Sequence, residues 1–125
     1  MVALVFVGSI SVPAPDNQND DLQTVLEIDE TIHSPVRLAI LIFLLPQKKS
    51  TFPIIRNALG LTGGNLSAHL TKLANAGLIE IKKMFVDAKP ATIVSINDEG
   101  RAAITDYAAN LSGVLNKTLE TMDST

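Results

Sequence analysis

The sequence predicts a mainly α-helical domain with a small β-hairpin, and three observations carry this prediction. The stretch Val36–Leu45 is apolar nearly all round, which is typical of a helix that is buried on most faces. Two short amphipathic segments follow it, joined by a turn that contains Gly60. Apolar and polar residues then alternate, as they do in a half-buried β-hairpin.

The composition of the 125-residue chain fits one domain and excludes several chemistries. Cysteine is absent, so disulfides, thiolate metal sites and cysteine nucleophiles are excluded. Aromatic residues make up 4% of the chain, which is too little for a platform that stacks single-stranded bases. No apolar run approaches the roughly 20 residues of a membrane-spanning helix. We therefore expect no membrane partner, and recognition of duplex nucleic acid stays open.

Residues 1–21 are interpreted as an N-terminal tail and an acidic linker, and residues 22–125 as the domain with its flanking helices. Residues 1–15 are apolar and then proline-rich, and they predict an appended strand, a loosely held tail or a mistaken start codon. No basic residue precedes Arg37, which argues against a secretory signal. We therefore expect a cytoplasmic protein.

The segment after the linker Asp16–Asp21 predicts a short amphipathic helix. Its apolar residues recur at intervals of three and four: Leu22, Val25, Leu26, Ile28 and Ile32. The next helix starts at His33-Ser34-Pro35, because proline is accepted in a first turn and Ser34 can cap the free N–H groups. We expect Pro46 to end it.

Two further helices form a helix-turn-helix pattern. Thr51 caps the first, whose apolar residues lie at i, i+3 and i+7: Phe52, Ile55 and Leu59. Gly60 ends it, and Thr62 caps the second, whose inward residues lie at i, i+4 and i+7: Leu66, Leu70 and Leu73. Short helices joined by a glycine-containing turn of this length are typical of DNA-binding proteins.

The remainder predicts two strands and one long helix. Leu78–Lys82 and Ala91–Ile96 alternate as strands around a loop at Val86–Pro90. Asn97 or Asp98 then caps a helix with a long apolar stripe.

The outward face of the helix from Thr62 to Asn75 is small and polar, which favours close contact with DNA over simple solvation. Gly63 and Gly64 leave backbone N–H groups bare at the positive end of the helix, where a phosphate can bind. The alternative is that this glycine pair is a flexible loop before the helix. We predict that this element contributes eight residues to a DNA-binding site: Thr62, Gly63, Gly64, Asn65, Ser67, Ala68, Thr71 and Lys72.

Charge is distributed unevenly along the chain. Residues 16–30 contain six carboxylates and no basic residue, whereas residues 47–90 contain seven basic residues against two acidic ones. A basic middle segment is typical of a nucleic-acid-binding face, although an ordinary solvated surface would also carry such charges. We predict that the hairpin contributes three lysines to DNA binding: Lys82, Lys83 and Lys89.

The residues that could support other chemistry are isolated. His69 flanks the inner face of its helix, so a hydrogen bond within the domain is favoured over contact with a base. His33 lies on a different element, and neither histidine has a second ligand at helical spacing, so no metal site is predicted. No nucleophile elbow, phosphate-binding loop or paired carboxylate is present, so we predict no enzyme and no cofactor.

Several short motifs occur in a characteristic order: Pro35-Val36-Arg37-Leu38, Leu61-Thr62-Gly63-Gly64-Asn65-Leu66-Ser67, His69-Leu70, Ala76-Gly77 and Asp98-Glu99-Gly100-Arg101. In these motifs the segment 33–111, about two-thirds of the chain, resembles the winged-helix transcriptional regulators of the MarR/ArsR kind. The resemblance implies a winged helix-turn-helix with flanking dimerisation helices, and a homodimer that binds palindromic duplex DNA. Lys89 departs from the arginine that many relatives carry in the wing, and residues 1–15 have no counterpart.

The C-terminal stripe needs a partner surface, because a winged-helix core already closes near Ile96. A second copy is the simplest partner; the alternative is that the helix folds back on its own domain. We predict ten interface residues: Leu22, Val25, Leu26, Ile32, Ile104, Tyr107, Ala108, Leu111, Leu115 and Met122.

These features predict a sequence-specific transcriptional regulator that binds double-stranded DNA as a homodimer. The alternative is a winged-helix module that binds another protein and not DNA, which the acidic overall charge of −3 favours.

Overall fold

The computed structural model describes the backbone of residues 4–7, 10–13 and 16–123, and the side chains of residues 20–123. The chain divides into two units, one of residues 29–107 and one of the described residues outside that range. The elements in chain order are β1 (Leu4–Val7), β2 (Ile10–Pro13), α1 (Asp16–Leu26), α2 (Pro35–Gln47), β3 (Lys49–Thr51), α3 (Phe52–Leu59), α4 (Gly63–Asn75), β4 (Ile79–Val86), β5 (Lys89–Ile96) and α5 (Asp98–Asp123).

The unit of residues 29–107, called the body below, is a winged helix-turn-helix. Helices α2, α3 and α4 pack around an antiparallel sheet with the strand order β3-β5-β4. Strands β4 and β5 form the wing, which is paired from Ile79↔Ile96 to Val86↔Lys89. The predicted fold class is confirmed.

Local capping explains where the helices of the body begin. The side chains of Ser34, Thr51 and Thr62 each accept a hydrogen bond from the backbone N–H three residues later, as predicted. Gly60 ends α3 in the left-handed region, with φ of 66°. Asn97 Oδ1 accepts from the N–H of Gly100 at 2.7 Å and so caps α5.

The core of the body joins all three helices to the sheet. Eight of its side chains have no exposed surface: Ile32, Ile40, Leu41, Leu44, Ile55, Leu66, Leu73 and Val94. Burial of each such side chain contributes about 1.5–3 kcal/mol relative to leaving it in water. Residues Val36–Leu45 of helix α2 are buried or half-buried as predicted, except for Ile42, which is exposed.

Three expectations about the helices and the N-terminal segment need correction or refinement. The predicted linker Asp16–Asp21 is the first half of α1. Helix α2 continues through Pro46 to Gln47, because a proline in the last turn removes only one backbone hydrogen bond. Within residues 1–15, strand β1 pairs with β2, which agrees with the strand interpretation, while residues 1–3, 8–9 and 14–15 lie outside the described residues.

The wing is longer and its loop shorter than predicted. Asp87 and Ala88 alone form the turn, with φ of 52° and 63°. Two successive residues with positive φ match the right-handed twist of the strands and allow the shortest hairpin connection. Strand β3 was not predicted; it pairs with β5 through Ser50↔Val94.

Three predicted interface residues belong to the core or its edge. The expectation is wrong for Ile32 and Ile104, because side chains at 0% and 5% exposure in a single chain have no surface left for a partner. Tyr107 is half-buried against the same core, and its hydroxyl lies 3.0 Å from Nδ1 of His33.

The second unit leaves much of its apolar surface exposed. Leu26 of α1 is 78% exposed and Leu115 of α5 is 51% exposed. Leu22, Val25, Ala108, Leu119 and Met122 are exposed as well, and Leu111 is half-buried. An ion pair of 3.5 Å joins Lys117 Nζ to Asp21 Oδ1. No helix in the described part of the chain has the length and apolarity to cross a membrane.

Candidate nucleic-acid interface

Helix α4 presents one face to the core and the other to solvent. Leu66, Leu70 and Leu73 are buried, and the Thr62 hydroxyl accepts from the N–H of Asn65 at 3.1 Å. This cap and this apolar face set the rotation of the helix about its axis. The residues that it turns outward follow from that rotation.

The outward face of α4 carries nearly all of the residues predicted for it. Seven are exposed: Thr62, Gly64, Asn65, Ser67, Ala68, Thr71 and Lys72. Gly63 is half-buried, and a Cβ built on it would lie 4.0 Å from the ring of Phe52. Gly63 and Gly64 belong to the first turn of α4, so the interpretation of this pair as a loop before the helix is wrong. A Cβ built on Gly64 would meet no atom within 4 Å, so the space beside this residue of the first turn is open.

An open groove of about 400 Å³, here called the α4–wing groove, lies between α4 and the wing. Its lining residues come from α3, α4, β4 and β5: Phe52, Ser67, Leu70, Thr71, Ile81, Lys83 and Thr92. None of these residues is acidic. The groove therefore combines an apolar floor with hydroxyl groups and one ammonium group.

The polar groups of this groove suit a phosphate. The Thr71 hydroxyl donates to the carbonyl oxygen of Ser67 at 2.9 Å within α4. The hydroxyls of Ser67 and Thr92 and the ammonium of Lys83 supply the remaining hydrogen-bond donors of the lining. Lys83 pairs with Thr92 directly across the two strands, so both side chains start from the same face of the wing. An oxyanion that enters the groove meets three donors and no carboxylate.

The other predicted lysines lie elsewhere. Lys82 directly precedes Lys83 in the alternating pattern of β4, so it lies on the opposite face of the wing. Lys89 pairs with Val86 beside the turn at the wing tip. Lys72 lines a separate depression, of about 420 Å³, beside Arg37 and Glu30. Of the four lysines, Lys83 is the one that lines the α4–wing groove.

Arg37 links α4 to the turn before α2, which the sequence did not reveal. Its Nε donates to the carbonyl oxygen of Thr31 at 2.6 Å, and its Nη2 donates to that of Glu30 at 3.2 Å. Its Nη1 lies 3.2 Å from Nδ1 of His69 on α4. The predicted hydrogen bond of His69 within the domain is confirmed, and Arg37 is its partner.

This contact requires a neutral His69. A guanidinium can only donate, so Nδ1 must accept and the ring proton of neutral His69 is on Nε2. Desolvation, together with the positive charges of Arg37 and Lys72, lowers the pKa of His69 below its usual value of 6.5. The electrostatics therefore favour the protonation state that the hydrogen bond needs.

The described histidines do not form part of a metal site. Among residues 20–123, no group of three His, Asp or Glu side chains could hold a metal ion. His33 lies beside Tyr107, with ring centroids 5.9 Å apart. The α4–wing groove remains the candidate site.

Comparison with known proteins agrees with this geometry. A family model described as "Winged helix DNA-binding domain" matches residues 36–115. A solved transcriptional regulator homologue from Pyrococcus horikoshii OT3 is 34% identical, with a TM-score of 0.73 over 79% of this chain and 97% of that chain. An uncharacterized protein of Methanocaldococcus jannaschii is 37% identical over 75 residues, which are 60% of this chain and 82% of that protein.

A more distant structure shares the fold. The PcaV transcriptional regulator from Streptomyces coelicolor is 17% identical, with a TM-score of 0.60 over 84% of this chain and 73% of that chain. The matched family range includes α2, α3, α4 and the wing. The resemblance to winged-helix transcriptional regulators is confirmed, and with it the prediction that the chain is not an enzyme. This chain belongs to the winged-helix DNA-binding domain family.

Proposed function

We propose that this protein is a sequence-specific transcriptional regulator that binds a palindromic site in duplex DNA as a homodimer in the cytoplasm. The α4–wing groove is the observation that carries this proposal. It places Ser67 and Thr71 of α4 in one concave surface with Lys83 of the wing. A concave, carboxylate-free surface beside an exposed helix has the shape and charge to hold one phosphate strand.

In this proposal α4 enters the major groove. Its outward residues Asn65, Ser67 and Thr71 have short side chains, so the helix backbone can approach the base edges closely. Gly63 and Gly64 let a phosphate approach the free N–H groups of the first turn. Ala68 offers a methyl group that suits the methyl of thymine. These contacts supply sequence preference.

The lysines supply most of the affinity. Lys83 contacts the phosphate strand in the groove, while Lys82, Lys89 and Lys72 extend the positive surface on either side of it. Phosphate contacts fix the position of the protein on DNA but carry no sequence information. Removal of one of these lysines therefore weakens binding to all duplexes alike.

The apolar surface of the second unit is proposed as the dimer interface. Leu22 and Leu26 of α1 and Leu115 of α5 are exposed on amphipathic helices. Self-complementary two-fold dimers are the most common assembly of soluble proteins, and such a dimer buries the same stripe from both copies. A two-fold axis also presents two copies of α4, which matches a palindrome whose half-sites lie about 34–36 Å apart.

Selection of genomic fragments with the purified protein, followed by binding assays with variants, tests this proposal. We expect Lys83→Ala to weaken binding to the selected site and to an unrelated duplex by the same factor. Ser67→Ala and Thr71→Ala should lower the ratio of specific to unrelated affinity, by about 5- to 150-fold if a base contact is lost.

Lys49→Ala provides the matched control, because it removes the same charge from β3, whose residues do not line the groove. It should change binding less than Lys83→Ala does. If substitutions on the face of α4 leave sequence preference untouched, α4 is not the reading helix. If no duplex is retained in the selection, the protein does not bind DNA and the function itself is wrong.

A further inference from the structure

The tip of the wing carries three consecutive exposed apolar side chains. Phe85 is 76% exposed, and its neighbours Met84 and Val86 are 46% and 47% exposed. Isolated apolar residues on a surface are common, but the wing tip exposes apolar side chains on both of its faces, which marks it as a candidate interaction site. Phe85 does not belong to the core cluster, so its apolarity does not stabilise the fold in an evident way.

The strand register places Phe85 on the face of the wing that lines the α4–wing groove. Phe85 pairs with Pro90, and Lys83 pairs with Thr92 two residues nearer the core. Side chains two positions apart on a strand lie on the same face, so Phe85 shares its face with Lys83. Met84, one residue away, lies on the opposite face. A molecule that lies in the α4–wing groove against Lys83 therefore has Phe85 on the same face, two residues nearer the wing tip.

We propose that Phe85 is an apolar wedge that enters the minor groove of bound DNA and partly unstacks one base step. This inference rests on the proposed function, because it takes the phosphate strand to lie in the α4–wing groove. Two residues along a strand span about 6.6 Å. The minor groove is about 7.5 Å deep, so a wing whose Lys83 contacts a phosphate at the rim brings Phe85 near the base edges.

The charges around the tip favour DNA over an apolar protein partner. Lys83 shares the face of Phe85, Lys82 and Lys89 lie on the other face of the same hairpin, and charged residues are depleted at the centres of protein interfaces. Apolar side chains that insert between bases, flanked by cations that bind phosphates, are instead the arrangement of minor-groove binders. Asp87 is the one carboxylate at the tip, and its φ of 52° shows that it serves the turn.

A wedge at this position gives the wing a role in specificity without a hydrogen bond to a base. The cost of unstacking is lowest at pyrimidine–purine steps, which are the most flexible. We therefore infer that the site prefers such a step where the wing tip enters, at a position that α4 does not contact.

Four variants and one fluorescent probe test this inference. The probe is a duplex carrying the selected site, with 2-aminopurine placed in turn at each position flanking the half-sites, because the fluorescence of this base rises when it unstacks. We expect wild-type protein to raise the fluorescence at one flanking step, and Phe85→Ala to abolish the rise and weaken binding by about 5- to 150-fold. Phe85→Leu should keep part of both effects, since leucine also serves as a wedge.

Phe85→Lys distinguishes a wing tip that inserts between bases from one that binds DNA through charge alone. A tip that acts only through electrostatics would bind more tightly with an added lysine, whereas a wedge loses the fluorescence signal despite the added charge. Met84→Ala, on the opposite face of the same strand, is the matched control and should leave the signal intact. Phe85→Ala should also leave the salt dependence unchanged, because no phosphate contact is lost.

Two results would overturn the inference alone. If wild-type protein binds the selected site and Phe85→Ala binds it equally with no fluorescence change at any step, the wing tip does not enter the stack. If Phe85→Ala instead alters only the sedimentation of the protein, the apolar tip contacts a second copy and not DNA. If wild-type protein binds no duplex, the proposed function fails and this inference fails with it.

Discussion

The body and the second unit use similar apolar sequence patterns in different ways. In the body the apolar side chains pack against one another, so that Leu41, Leu66 and Val94 have no exposed surface. In the second unit, Leu26 of α1 and Leu115 of α5 also belong to apolar stripes with helical periodicity, but both side chains remain exposed. Helix α5 contains both situations, with Ile104 buried and Leu115 exposed. Helical periodicity therefore identifies the apolar face of a helix but does not identify the surface that packs against it.

The largest expected effect comes from a charge on the exposed stripe. Leu115→Asp should leave the body folded, because Leu115 is outside its core, but a charge without a partner opposes burial in a dimer. A folded monomer should result, with an affinity for the selected palindrome lower by about 10²- to 10⁴-fold, since linked half-site binding is lost. Sedimentation, circular dichroism and fluorescence anisotropy measure these quantities.

Asn110→Asp is the matched control for that variant. It introduces the same charge on α5, about 140° around the helix from Leu115, on an exposed residue. It should remain dimeric. If Leu115→Asp stays dimeric with full DNA binding, or if the unmodified protein sediments as a monomer, the exposed stripe is not the interface.

Within α5, two glycines should respond in opposite directions. A Cβ built on Gly100 would collide with the carbonyl oxygen of Leu78 and lie 2.9 Å from Cγ1 of Ile96. Gly100→Ala should therefore lower the free energy of unfolding by about 2–3 kcal/mol, because backbone and core must shift. Gly113 lies in the second unit with no atom within 4 Å of such a Cβ, so Gly113→Ala should raise it by up to about 1 kcal/mol.

Urea denaturation of both variants at one protein concentration checks this contrast. Equal stability of Gly100→Ala and wild-type protein would mean that α5 does not pack against Leu78 so closely. A loss of stability in Gly113→Ala would mean that the second unit is packed in solution at a position that is open in the single chain.

A smaller effect concerns the hydrogen bond that holds α4. Because the pKa of His69 is lowered in the folded state, the unfolded chain binds a proton more readily, and stability falls as pH decreases. The contribution of neutral His69 to stability is present in full above pH 6.5, the usual pKa of histidine, and is lost as pH falls through the lowered pKa of the folded state. In His69→Gln the amide oxygen can still accept from Arg37 but does not titrate. Its free energy of unfolding should therefore decrease less between pH 7 and 5 than that of wild-type protein; identical pH profiles would contradict the assignment.

Much of the body could be predicted because its signals are local. Ser34, Thr51 and Thr62 cap their helices through bonds that span three residues, and the leucine spacing of α4 fixes its outward face. The position of Lys83 in the groove follows from strand alternation once the register is known. The candidate site was therefore partly accessible from the sequence.

The features that escaped prediction depend on distant contacts. Strand β3 has three residues and exists through pairing with β5, more than forty residues later. Arg37 and His69 are 32 residues apart, and nothing in their local sequence pairs them. The sequence groups Ile32 with Leu22 and Leu26 in one apolar pattern, but α1 ends at Leu26 and Ile32 is a core residue of the body.

Salt dependence of duplex binding tests the central claim most directly. Fluorescence anisotropy of the full chain with the selected site, between 50 and 200 mM salt, measures how many phosphates the protein neutralises. With several lysines in each of two subunits, contact with about 6–10 phosphates should reduce affinity by about 10³- to 10⁵-fold over this range. A flat response, or affinity that does not differ between wild-type protein and Lys83→Ala, would contradict the assignment of the α4–wing groove as a DNA-binding site.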